Sequence, residues 1–324
     1  MAALGAARPA PARGGLLDEV FSPAVLGALE RIRLRSAHAS GERPGHARVR
    51  GRDDASGLEL ERHVPYAPGD DLRRVDWNSY ARLGELLTRR FVAEREVPVW
   101  LVIDRSGSMG PAGPGGKLDL ACAVAAVLGI VSLSGGDRLS LAAIPGRRSS
   151  RVSSRSPAVE SCGPLRSRRH LGALRSFLTS LEPAAGEGDL AAGIEEATRH
   201  VRRGVAVLIS DVLIEPAAVA AALDVLRLRR FEGKLVQVLS REDLDPSWLR
   251  GRHQIEDAET GERYEIEPSV ATWQRYRGAL EDHLAEIRRA ALERGVSSVL
   301  AVTDHGLERF LAAELPRLGL ALVR

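Results

Sequence analysis

The chain has 324 residues, 44% of them hydrophobic, enough for one large α/β domain with an appendage and a sizeable core. Its formal net charge of +3 rests on 46 Lys+Arg that are nearly all Arg, with Lys117 and Lys234 the two lysines, so compositional bias accounts for the basicity and a nucleic-acid partner does not follow from it. Cys122 and Cys162 form no CxxC or Cys/His cluster, which argues against a zinc site or disulfide framework and fits a reducing compartment.

No run reaches the roughly 18 to 20 apolar residues that span a bilayer. Residues 1–20 read as a disordered leader, because the Ala/Pro/Gly-rich start lacks the apolar core of a signal peptide, and a cytoplasmic protein is expected. Ser22-Pro23 then caps a helix to about Ser36, and 37–57 reads as loop. Residues 21–95 form an N-terminal region whose densest part is Glu61 to Arg82. There Pro68-Gly69 signals a turn, Asp70 or Asp71 is placed to cap a helix over Leu72 to Arg82, and Trp77 can anchor it. Acids and arginines alternate so closely in this block that an ion-pair network bracing the turn is its plainest reading. Leu86 to Glu94 follows as a strand.

Residues 96–324 alternate strands with helices. Val99-Trp100-Leu101-Val102-Ile103 is a short, β-branched-rich run, the pattern of a strand buried on both faces. Lys117 opens a helix with hardly any polar face, Gly135-Gly136 ends it, and Leu139 to Ile144 is the next strand. The Arg-rich stretch 147–169 reads as a solvated loop. Helices are expected at Leu171 to Leu181 and, capped by Asp189, at Leu190 to Arg203, before a second buried strand, Val205 to Ser210. A helix over Pro216 to Arg230 and a strand over Leu235 to Leu239 continue the alternation. Residues 241–267 interrupt it with a hairpin turning at Gly261, and a helix from Ser269, a strand at Ser298 to Val302 and a helix from Leu307 close the chain. The expected architecture is α/β, a doubly wound and mostly parallel sheet flanked by helices.

Both buried strands end in a carboxylate, Asp104 and Asp211, and ligands of open α/β sheets bind outside the carboxyl ends of the strands. Asp104, Ser106, Ser108 and Asp211 offer hard oxygen ligands suited to Mg²⁺ or Mn²⁺, and an ion held by so few carboxylates would take one more from a partner. Singly, each residue is explained by capping or local backbone bonding; together they read as a metal site. The enzymatic alternative is a metal-dependent phosphohydrolase with Asp104 as nucleophile. The phosphatases that place an Asp this way need a second acid two residues on, where Ser106 stands. A serine nucleophile elbow fails too, since Asp104 occupies the place of its first glycine.

Asp104-Arg105-Ser106-Gly107-Ser108-Met109 resembles the metal-ion-dependent adhesion site of von Willebrand factor A domains. Tyr66 to Trp77, with Ala81-Arg82 and Phe91 to Glu94, resembles the signature of the bacterial family known as domain of unknown function 58. The resemblance implies a von Willebrand A-like fold and no enzymatic activity. It also implies a MoxR-type AAA+ ATPase partner in chaperone-like maturation of a client protein, with Asp70, Asp71, Arg73, Asp76 and Trp77 as candidate docking residues. In Glu187-Gly188-Asp189-Leu190, Gly188 stands where the family's threonine supplies a metal ligand, which favours a further alternative, a metal-free protein-binding module on the same fold.

Overall fold

In a computed structural model, the described residues are 15–29, 32–34, 58–68, 70, 72–93, 96–110, 116–147, 159–184, 187–201, 203–257, 261–318 and 320–322. The loop expected over 37–57, Asp71 and much of the Arg-rich stretch lie outside them.

In chain order the elements begin with α1 (Gly15–Val20), α2 (Pro23–Leu29), β1 (Ile32–Leu34), β2 (Leu58–Pro65), α3 (Trp77–Leu83) and β3 (Leu87–Ala93). They continue with β4 (Pro98–Arg105), α4 (Lys117–Ser134), β5 (Arg138–Arg147), β6 (Glu160–Leu165), α5 (Leu171–Ser180), β7 (Glu187–Gly188), α6 (Leu190–Ala197) and β8 (Gly204–Ser210). After these come α7 (Pro216–Leu228), β9 (Phe231–Leu239), α8 (Arg241–Leu244), β10 (His253–Glu256), β11 (Arg263–Ile266), α9 (Val270–Glu293), β12 (Ser297–Val302), α10 (Gly306–Arg309) and β13 (Leu320–Leu322).

The main sheet has the order β12-β9-β8-β4-β5-β6, with β7 beside β5, and its first five strands are parallel. The expected doubly wound sheet is therefore present, and its cause is visible in the alternation along the central strands. Val99, Leu101 and Ile103 of β4, with Val205, Val207 and Ile209 of β8, belong to the core shared with α1, α4 and α5. Val102, Ala206 and Leu208 belong to the opposite core, shared with α6, α7 and α9. Period-two side chains that are apolar on both faces bury one layer each way, and each Val, Leu or Ile among them contributes about 1.5–3 kcal/mol. Gly204 lets β8 start tightly against β4: at φ +134 a Cβ there would lie 2.1 Å from the Pro98 carbonyl oxygen.

Contacts divide the chain into two units, one within 1–40 and 97–324, the other within 41–96. Residues 21–34 thus pack with the sheet rather than with the N-terminal region expected at 21–95. Of the leader expected over 1–20, Gly15–Val20 is instead helical and buries Leu17 and Val20 in the core, and 1–14 lie outside the described residues. The helix expected to reach Ser36 stops at Leu29, and Ile32–Leu34 pairs antiparallel with Leu320–Leu322. Long-range pairing overrides local periodicity there.

Other differences are local. β6 lies inside the stretch expected to be loop and pairs antiparallel with β5. Its Ser161-Cys162-Gly163-Pro164 carries no strand pattern, and an edge strand tolerates such residues. The helix expected to run to Arg203 ends at Ala197, and the closing helix is four residues long before it passes into a π turn and a 3₁₀ turn. By length and composition α4 could cross a membrane, contrary to expectation, but 89% of it is buried inside the protein. The hairpin of the 241–267 insertion forms as expected, with Gly261 at φ +76.

In the second unit β2 and β3 form an antiparallel ribbon. The expected helix over Leu72 to Arg82 divides into a 3₁₀ turn, Leu72–Arg74, and α3. Its cap is neither Asp70 nor Asp71 but Asp76, which accepts from the backbone N–H groups of Asn78 and Ser79.

Candidate functional site

β4 leads through α4 to β5 on one side, whereas β8 lies on the other, so the topological switch point falls between the carboxyl ends of β4 and β8. Asp104 and the pair Ser210-Asp211 stand at those two ends. Asp104 is buried; one carboxylate oxygen accepts from the Ser106 N–H at 2.9 Å and the other from the Ser210 hydroxyl at 2.6 Å. Ser106 and Ser108 share a hydroxyl–hydroxyl hydrogen bond of 3.2 Å. Burial first, and then the nearby charge of Asp211, push the Asp104 carboxyl up to about 6, against the opposing hydrogen bonds.

Asp211 is aimed by strain. Val212, β-branched, adopts φ +47, a conformation that is costly for such a residue. The bend is pinned on both sides: the Val212 N–H donates to the Ser210 hydroxyl at 3.0 Å, and His283 of α9 donates to the Val212 carbonyl at 2.8 Å. Asp211 thereby meets Lys117, whose ammonium donates to its Oδ2 at 2.8 Å and to Asp243 Oδ2 at 3.1 Å. The Lys117 and Asp211 side chains are 8% and 2% exposed, so this is a buried ion pair. Burial alone would lower the Lys117 ammonium, but the charges of Asp211 and Asp243 more than offset it and hold it above its ordinary value. Asp243 is fixed by a capping box, its carboxylate accepting from the Ser240 N–H at 2.8 Å.

The four residues expected to hold a metal therefore come to one sheet edge, but Lys117 and Asp243 complete the cluster and sequence reasoning missed both. The available signal was composition, since Lys117 is one of two lysines in an Arg-dominated chain. Tested as ligands for Mg²⁺ or Mn²⁺, the residues do not fit. Asp211 is taken by a cation, the Lys117 ammonium at 2.8 Å. Gly188 supplies no side-chain oxygen, and among the described residues no group of three or more His, Cys, Asp or Glu could hold a metal ion.

The residues expected to dock a partner have different surroundings. Asp76 is buried and pairs with His63 at 2.8 Å besides capping α3, and Asp70 accepts from the Ala67 N–H at 3.1 Å. These carboxylates brace their own turn. Arg73 is exposed on the 3₁₀ turn, and Asp71 lies outside the described residues. Trp77 is 56% exposed and meets Tyr80 edge-on with ring centroids 6.3 Å apart; Leu72 and Leu83, 58% and 68% exposed, also face out.

The model of the family described as "Protein of unknown function DUF58" matches residues 62–286. "Uncharacterized protein Rv1480" of Mycobacterium tuberculosis is 33% identical over 260 residues, 76% of this chain and 77% of that protein. Among solved structures, a conserved hypothetical protein BatB from Bacteroides thetaiotaomicron shares 15% identity over 69% of this chain and 98% of its own, with a TM-score of 0.41. The SpRpn10 VWA domain shares 13% over 69% and 97%, with a TM-score of 0.38.

Proposed function

We propose, from the premise that this chain belongs to the DUF58 family, that it is a non-enzymatic adaptor docking a MoxR-type AAA+ ATPase through the apolar face of α3 and serving the maturation of a client protein in the cytoplasm. The observation that carries this reading is the exposed group Leu72, Trp77, Tyr80 and Leu83 within the family match, beside signature carboxylates Asp70 and Asp76 that are committed to internal bonds. Exposed aromatic side chains with few rotamers are the usual anchors of protein interfaces. The switch-point edge of the sheet is then the surface left for the client.

Co-purification of the ATPase with the tagged full-length chain is the expected outcome. The rival reading is a metal-dependent phosphohydrolase using Asp104. It would be favoured if the ATPase failed to bind and the chain turned over a generic phosphate ester in an activity that Asp104→Asn abolished.

A further inference from the structure

Lys117 is the first residue of an 18-residue helix, α4, the end at which the helix dipole disfavours a cation. It is buried, yet the chain spends one of its two lysines there while using arginine nearly everywhere else. An ammonium is a compact point charge with donors in all directions, whereas a guanidinium is a broad planar fork, so a site needing a small cation would select lysine. The carboxylates that receive it come from two separate parts of the sheet's carboxyl edge: Asp211, at 2.8 Å, follows β8, and Asp243, at 3.1 Å, opens the insertion after β9. Asp211 is also the residue whose place at the end of the second buried strand reads as the second carboxylate of an adhesion-type metal site.

We propose that the Lys117 ammonium is the resident cation of this edge: it neutralises Asp211, the carboxylate a divalent ion would need, holds it together with Asp243, and makes the site metal-independent. A second cation entering beside Asp211 would meet an ammonium already bound to the same carboxylate, and repulsion at such range in a buried setting outweighs what one shared carboxylate can return. The inference rests on the side chains of the edge alone and holds whether or not α3 docks an ATPase.

The test uses the purified full-length chain and Mn²⁺ alone, with binding followed by calorimetry and by the electron paramagnetic resonance of free Mn²⁺, and folding followed by thermal melts in Mn²⁺ or in chelator. Wild type should bind no Mn²⁺ saturably and melt identically in both. Lys117→Gln, close in size and neutral, should gain saturable binding, at least about tenfold tighter than any wild-type signal, and a melting point that Mn²⁺ raises. Lys117→Arg, which keeps the charge, should gain none. If Lys117→Gln folds only with Mn²⁺ present, that also supports the proposal. Saturable Mn²⁺ binding by wild type that Asp104→Asn removes would overturn it. So would a Lys117→Gln protein that folds but binds nothing, or one that Mn²⁺ does not restore while Lys117→Arg behaves as wild type.

Discussion

The sheet edge and the family signature invert each other's arrangement of polar and apolar groups. At the edge, Asp104, Ser106, Ser210, Asp211 and Lys117 are buried and answer one another. In the signature, Asp70 and Asp76 are likewise spent on internal bonds, while Leu72, Trp77, Tyr80 and Leu83 are left in solvent. Carboxylates that advertise chemistry in a sequence thus serve structure in both places, and the large side chains left exposed around the signature, among the described residues, are mainly apolar. A buried charge is costly unless it is paired, which is why conspicuous acids so often turn out to have partners.

The sharpest way to break this contrast is to remove a partner from the edge. Lys117→Ala leaves Asp211 buried and uncompensated and should cost about 3–5 kcal/mol at neutral pH in chelator, read from urea unfolding midpoints. Asp104→Asn should act in the opposite direction. The Asp104 carboxyl is raised from 3.8 to about 6 on folding, so the folded protein holds this proton more tightly. The resulting stability is fully present below pH 3.8 and is lost as the pH rises through about 6, a difference of about 3 kcal/mol. Asp104→Asn should therefore match wild type near the acid end, exceed its stability at pH 8 and flatten the pH profile; a variant less stable than wild type at pH 8 would contradict that origin of the shift.

Smaller effects are expected in the signature. Asp76→Ala removes the α3 cap and the partner of His63 and should cost about 1–2 kcal/mol of the unit's stability. Trp77→Ala, at a side chain already in solvent, should change stability by less than about 0.5 kcal/mol, which melts can check.

Much of the sheet was legible because its strands carry their burial in local composition. Val99 to Ile103 and Val205 to Ile209 are continuous apolar runs, and the carboxylates that follow them, Asp104 and Asp211, mark the edge where they end. The 24-residue α9, opened by its Ser269 capping box, was equally plain. β1 and β6 were not, because each is defined by a partner strand rather than by its own residues, and β6 contains Gly163-Pro164. The site was legible in part. Asp104, Ser106 and Ser108 are neighbours in sequence, but Lys117 meets Asp211 across 94 residues, and nothing local to either announces the other. Asp243 reads as an ordinary helix-start acid, which it also is. Motif resemblance named four oxygen donors and could not see that a side-chain cation would pair with one of them, Asp211.

The edge is satisfied internally whereas the signature faces outward, and titrating the proposed partner, a MoxR-type ATPase, against two variants tests that separation directly. Measured by titration against the full-length chain, Trp77→Ala should weaken binding by about tenfold or more, the loss typical of an aromatic anchor, while Asp104→Asn should stay within about twofold of wild type. Loss of binding in Asp104→Asn with Trp77→Ala unaffected would contradict the account, and would return the partner's contact to the carboxyl edge of the sheet.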